Sequence, residues 1–196
     1  MVKEKPASAR DYADYLCKLF GTAEDGDFRV SRGVTFQITG DCTLRCSYCY
    51  ENHKSCQSMT LETGKKIIDY ILDLYEKDDG NFICKKTKGI VLDFIGGEPL
   101  LQAELIEKIC DYFIAECWRK HIPIAPFSRI SFATNGQLWF TPEAQHLFRK
   151  YHDMMSVTVS IDGVKELHDA FRVDKNGIGS FDTAYRAFQD GKKYGW

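Results

Sequence analysis

Apolar positions along the chain alternate between two periods. Val34–Thr39 is a compact run of β-branched and aromatic residues ending at Gly40, which predicts a strand. Ile90–Ile95 is almost continuously apolar, interrupted by Asp93 and stopped by Gly96 and Gly97. Ile130–Thr134 and Met155–Ile161 complete a set of four strands. Between them the spacing becomes helical. Ile67, Ile68, Ile71, Leu72 and Tyr75 repeat after Thr60, which can cap the first turn, and Asp78, Asp79 and Gly80 stop the run. Leu105, Ile106, Ile109, Tyr112 and Phe113 predict a helix over Leu101–Trp118. Thr141, Pro142 and Glu143 give the order of cap, proline and acidic first turn. Ala184, Tyr185 and Phe188 give Phe181–Gln189 an apolar stripe. Upstream, Ala7–Phe20 predicts a short amphipathic helix with Tyr12, Leu16, Leu19 and Phe20 on one side, followed by a polar connector, Gly21–Gly33. The expected organisation is therefore residues 1–33 as helix and connector and residues 34–196 as an α/β core.

Strand–helix alternation, with strands too apolar to face water on either side, predicts a parallel sheet covered by helices. Sites in such folds form at the carboxyl ends of the strands. The loops there carry Cys42–Cys49, Gly96–Pro99, Asn135–Gly136 and Asp162–Gly163, so all four are expected on one rim. The alternation breaks off at Gly191–Trp196 and leaves the fourth strand as an apolar edge, which complete domains cover or charge. The expectation is a piece of something longer.

Composition narrows the function classes. The chain has 196 residues, 44% hydrophobic and 28% charged, enough for one domain with a core. A net charge of -2 leaves no basic excess for neutralising phosphates, so no nucleic-acid partner is expected. Apolar runs are strand-sized, and Met1–Arg10 lacks a hydrophobic run behind its charges. Neither a membrane span nor a secretory signal is expected, and the protein reads as cytoplasmic.

Eight cysteines in a reducing compartment need a role other than disulfides. Cys110 and Cys117 sit in an apolar-periodic stretch and should face a core. Cys42, Cys46 and Cys49 form a C-x3-C-x2-C loop directly after a strand, with Tyr48 before the last cysteine. Three thiolates on one loop can hold three irons of a [4Fe–4S] cluster and leave the fourth iron open to a small-molecule ligand. The rivals are structural zinc, which prefers four tetrahedral ligands, and a C-x-x-C redox pair at Cys46 and Cys49.

This loop resembles that of the radical S-adenosylmethionine (radical SAM) enzymes. The resemblance implies a partial (β/α)6 barrel of about four strand–helix units, a [4Fe–4S] cluster on Cys42, Cys46 and Cys49, and SAM chelated to the open iron. It implies reductive cleavage of SAM to a 5′-deoxyadenosyl radical that abstracts a substrate hydrogen. An electron donor such as flavodoxin or ferredoxin follows from the same resemblance, as does backbone contact between the Tyr48 position and adenine.

The other rim loops extend the likeness. Gly96-Gly97-Glu98-Pro99 alone reads as a strand-to-helix turn; beside the cysteine loop it resembles the family's GGE motif, which implies a carboxylate and glycine backbone for the SAM ammonium. Asn135, in T-N-G, is implied to contact SAM or substrate. Ser160 and Asp162 match the S-x-D-G segment near the SAM ribose and methionyl group. His168-Asp169-x-x-Arg172 matches a continuation that would set Arg172 near the SAM carboxylate, although His168 and Asp169 alone read as a solvated helix end. Cys56 is expected not to be a ligand, and Lys54, Lys65 and Lys66 read as solvated charges. The combination resembles the subgroup of anaerobic sulfatase-maturating enzymes and peptide maturases, which usually carry a C-terminal SPASM or twitch domain; residues 1–33 are too short for a winged-helix leader-recognition domain. It implies a peptide or protein substrate, with thioether or other crosslinking or formylglycine formation as candidate reactions. A small-molecule or RNA substrate and a non-catalytic zinc or cluster module are the alternatives; the resemblance names no acid/base residue in this chain.

Overall fold

A computed structural model describes residues 30–51, 54–80 and 82–195. The helix expected over 7–20, most of the connector after it, Cys17 and His53 lie outside the described residues. Four strands, β1 (Val30–Thr39), β2 (Thr87–Gly96), β3 (Arg129–Thr134) and β4 (Met155–Val159), form one sheet in the order β1-β2-β3-β4. Every pairing is parallel. Helices α1 (Leu61–Lys77), α2 (Ala103–Arg119) and α3 (Pro142–Lys150) form the crossovers, followed by α4 (Lys165–Phe171) and α5 (Phe181–Gly191).

The helix starts obey the capping chemistry. Thr60 Oγ1 accepts from the Thr63 N–H at 3.1 Å, and Thr141 Oγ1 accepts from the Ala144 N–H at 3.3 Å. Asp78 closes α1 in the left-handed region, with φ 49°. The strand ends moved: β1 begins at Val30 rather than Val34, and β4 stops at Val159 rather than Ile161. Beyond Val159 only the Ser160 N–H continues toward β3, donating to Thr134 O at 2.9 Å, before the chain turns through Gly163.

Burial corrects one expectation. The sheet is packed on one face, not two. Phe36, Ile38, Leu92, Phe94, Ile130 and Phe132 are buried beneath the helices, whereas Thr35, Gln37, Ile95, Ala133, Ser156 and Thr158 on the other face are exposed. Asp93, which interrupts the apolar run of β2, lies on that open face opposite Thr35, whose hydroxyl reaches it at 3.4 Å. The strands therefore alternate, as sheets with one wet face do.

The packed face is organised around an aromatic row. Phe36, Phe94 and Phe132 are register partners on successive strands, and the Phe36 and Phe94 rings stack at 5.1 Å. Cys110 and Cys117 of α2 are buried in the same core, as their spacing predicted. Among the described residues no helix is long and apolar enough to cross a membrane. Phe94→Ala should cost about 3–5 kcal/mol in urea unfolding, since it empties the middle of the row. Trp118→Ala, at a side chain 84% exposed, should stay within about 0.5 kcal/mol.

Candidate active site

The loop after β1 is held on two sides. On one side, the Gly97 N–H donates to Thr39 O at 3.0 Å and the Glu98 N–H to Asp41 O at 2.8 Å. This contact needs glycine: Gly96 has φ 148°, and a Cβ there would stand 2.1 Å from Thr39 O. A Cβ at Gly97 would stand 2.1 Å from Asp41 O and 3.0 Å from Cys42 Cβ. On the other side, the Arg45 N–H donates to Val173 O at 2.7 Å and the Ser47 N–H to Phe171 O at 3.1 Å. Leu44, 2% exposed, bridges to Asp174.

Between these supports lies a cavity of about 250 Å³ at the carboxyl ends of the strands. Cys42, Cys46 and Cys49 line it, together with Tyr48, Gly96, Gly97, Asn135, Ser160 and Arg172. Nine of the eleven residues expected at the site thus share one wall-to-wall space. Asp162 and Glu98 are not in that lining but hydrogen-bond to residues that are. Cys56 is exposed and away from it.

Glu98 faces inward. Its side chain is fully buried; Oε1 accepts from Thr134 Oγ1 at 2.8 Å and from the Leu100 N–H at 3.1 Å, and Oε2 from the Asn135 N–H at 2.8 Å. Burial pushes the carboxyl up, against these three donors, which favour the carboxylate. Asn135, so anchored, donates from Nδ2 to Thr43 Oγ1 at 3.0 Å and lies 3.5 Å from Cys42 Sγ.

Asp162 closes a clasp across the rim. Its Oδ2 accepts from the Tyr48 hydroxyl and, at 3.0 Å, from Arg172 Nε. The Arg172 guanidinium also lies 5.7 Å from the Tyr48 ring centre. Burial raises the Asp162 carboxyl, but the two donors and the Arg172 charge hold it below its usual range on balance. Burial and the hydrogen bond to Asp162 push Tyr48 up to about 12.

Two sequence expectations are corrected here. His168 is not a solvated helix end but fully buried. Its Nδ1 accepts from the Asp162 N–H at 3.3 Å, and its Nε2 lies 3.0 Å from Ser180 Oγ, which itself donates to Arg172 O at 2.8 Å. That arrangement requires the neutral imidazole with its proton on Nε2, and burial lowers its pKa accordingly. Asp169 accepts from the Phe181 N–H at 2.9 Å and so fastens α4 to α5. Lys54 is not a solvated charge either. It is half-buried, lines the cavity and donates from Nζ to Cys49 Sγ at 3.0 Å. Burial alone would lower its ammonium; the hydrogen bond to Cys49 and the negative charge of the cysteines in their thiolate form raise it on balance. Lys65 lies over the Tyr112 ring, whereas Lys66 is exposed and paired with Glu62.

The donor set suits a cluster. Burial pushes the Cys42 and Cys46 thiols up, so metal binding there displaces protons. Among the described residues no three His, Cys, Asp or Glu side chains converge on one point as a single metal ion requires. Three thiols lining one cavity are the donor type that an iron–sulfur cluster takes. Residues 36–196 match the radical SAM superfamily.

The chain belongs to that family. Radical SAM proteins use a [4Fe–4S] cluster and S-adenosylmethionine. The chain is 36% identical over 144 residues to an uncharacterised protein of Methanocaldococcus jannaschii, covering 74% of this chain and 43% of that one. It is 28% identical over 163 residues to the antilisterial bacteriocin subtilosin biosynthesis protein AlbA of Bacillus subtilis, covering 82% and 30%. It is 30% identical over 157 residues to a cysteine-type anaerobic sulfatase-maturating enzyme of Clostridium perfringens, covering 78% and 38%. The chain thus spans less than half the length of these relatives. Its fold matches the solved structure of anSMEcpe with bound AdoMet at a TM-score of 0.65, with 24% identity, over 84% of this chain and 41% of that one. The open four-strand α/β sheet is a partial radical SAM fold.

Glu98→Gln should destabilise the protein by about 1–3 kcal/mol in urea unfolding, because either amide orientation sets an NH₂ against a buried donor. The Asp162 clasp has the opposite pH sign to a raised acid. With its folded pKa depressed, its contribution is complete above the ordinary carboxylate value near 3.9 and is lost as pH falls through the folded value. Urea midpoints measured against pH should lose this part of their acid dependence in Asp162→Asn.

Proposed function

We propose that this chain is the SAM-cleaving part of a radical SAM enzyme that modifies a peptide or protein side chain. One observation carries the reading: three thiols on a single loop open onto the same cavity as the two glycines that brace that loop. Cys42, Cys46 and Cys49 hold the cluster and, with three ligands, leave one iron for SAM. Gly96 and Gly97 offer backbone to the SAM methionyl group. Glu98, buried behind them with three donors on its roughly four lone-pair sites, supplies negative charge toward the ammonium. Arg172, held at Nε by Asp162, offers a guanidinium to the carboxylate. Asn135 and Ser160 offer polar side chains, and Tyr48 closes the rim against Asp162.

When bound, the cluster supplies the electron for reductive cleavage of SAM, the source of hydrogen abstraction. Cys42 and Cys46, once deprotonated, lower the cluster's potential through their charge. A donor of the flavodoxin or ferredoxin kind delivers that electron, and the cytoplasm keeps the thiols reduced. A peptide or protein substrate is supported by the relatives named for subtilosin biosynthesis and for sulfatase maturation.

Anaerobic reconstitution should give about four irons and four sulfides per chain with broad visible absorbance, and SAM plus dithionite should then yield 5′-deoxyadenosine. Alanine at Cys42, Cys46 or Cys49 should abolish that product, while Cys56→Ala should not. A colourless protein with stoichiometric zinc would overturn the reading.

A further inference from the structure

Cations near the cavity are committed in different ways. Arg172 is paired with the Asp162 carboxylate at 3.0 Å. Arg45 turns its guanidinium to backbone, donating to Cys42 O at 2.6 Å and Leu44 O at 2.8 Å. Lys66, Lys108, Lys150 and Lys165 each pair with a carboxylate on a helix surface. Lys54 differs from all of these. It lines the cavity, is half-buried, and its Nζ donates to a sulfur, Cys49 Sγ, at 3.0 Å. Among the described residues it makes no ion pair with a carboxylate.

From this placement we infer that Lys54 sets the reduction potential of the cluster, acting through Cys49. The inference rests on the proposed function, in which Cys49 is a ligand. Two physical effects point the same way. A donor to a ligand sulfur draws electron density off it, and a full positive charge beside the ligand favours the more negative oxidation state. The step concerned is uptake of one electron from dithionite or a low-potential donor protein. The cluster core passes from 2+ to 1+, no bond is made or broken, and no proton moves. Lys54 thus makes the electron easier to accept, offsetting the three thiolates that oppose it. It is a positioning residue for charge, with no demand that it touch SAM or substrate.

The test is an EPR-monitored redox titration of the reconstituted protein without SAM, with iron content measured on the same samples. Lys54→Gln should load iron fully but reduce at a lower potential. The expected loss is about tenfold in the reduction equilibrium, or about 59 mV for one electron. Lys54→Arg, which keeps the charge, should restore most of that loss. Lys66→Met, at an exposed residue of α1, should leave the potential unchanged. A fully loaded Lys54→Gln protein that reduces at the wild-type potential overturns the proposal, as does one whose only defect is weaker SAM binding by calorimetry. Loss of iron in both Lys54→Gln and Lys54→Met, with Lys54→Arg intact, also overturns it, since the charge would then serve assembly. Failure of the unmodified protein to assemble a cluster would instead defeat the proposed function itself.

Discussion

A buried carboxylate joins the rim loops of this sheet. Glu98 leaves the end of β2 with its N–H on the cysteine loop and its two oxygens on the end of β3 and on its own helical turn. On the cavity wall, Asn135 and one side of the cysteine loop hang from that junction. Asn135 reaches Thr43 and Cys42 because its backbone is fixed by Glu98. The cysteine loop can lie against β2 because two glycines leave room for its carbonyls. A charge in such surroundings is tolerable only when several donors surround it, so the junction is all-or-none in character.

The second support of the cysteine loop works differently. Phe171–Asp174 meets it through backbone hydrogen bonds, and the charge there is balanced on the surface by Tyr48, Asp162 and Arg172. Behind this segment, His168 and Ser180 carry the load from α4 to α5. One side of the loop is thus held by a desolvated anion, the other by a chain of neutral and ion-paired contacts nearer to water.

Most of the fold was legible in the sequence because periodicity reports burial directly. Thr60, Thr141 and the apolar repeats of α1 and α2 declared their helices, and the glycines after β1 and β2 declared the strand ends. The wet face of the sheet was less legible. Val91 and Ile95 make β2 look buried throughout, although Asp93 within it and Thr35, Gln37, Ser131, Ser156 and Thr158 on the other strands mark the side that water reaches. At the site, the three cysteines were visible from spacing alone. His168 and Lys54 were not, because their partners are set by the fold: Ser180 and the Asp162 backbone for one, a thiol for the other. The surviving signal for Lys54 was a lysine on the same loop as three thiols, where opposite charge attracts. Glu98 stood out in the sequence beside two glycines, but its inward aim depends on Thr134 and Asn135, which no local pattern links to it.

The strap across the cysteine loop also has a consequence for biosynthesis. Leu44 and Arg45 leave the ribosome well before Val173 and Asp174, their partners. At roughly 5–20 residues per second, several seconds pass between the two. During that interval the three thiols are synthesised but not yet held on their far side. The nascent chain therefore gains both supports of the cysteine loop only after β4 and α4 have been made.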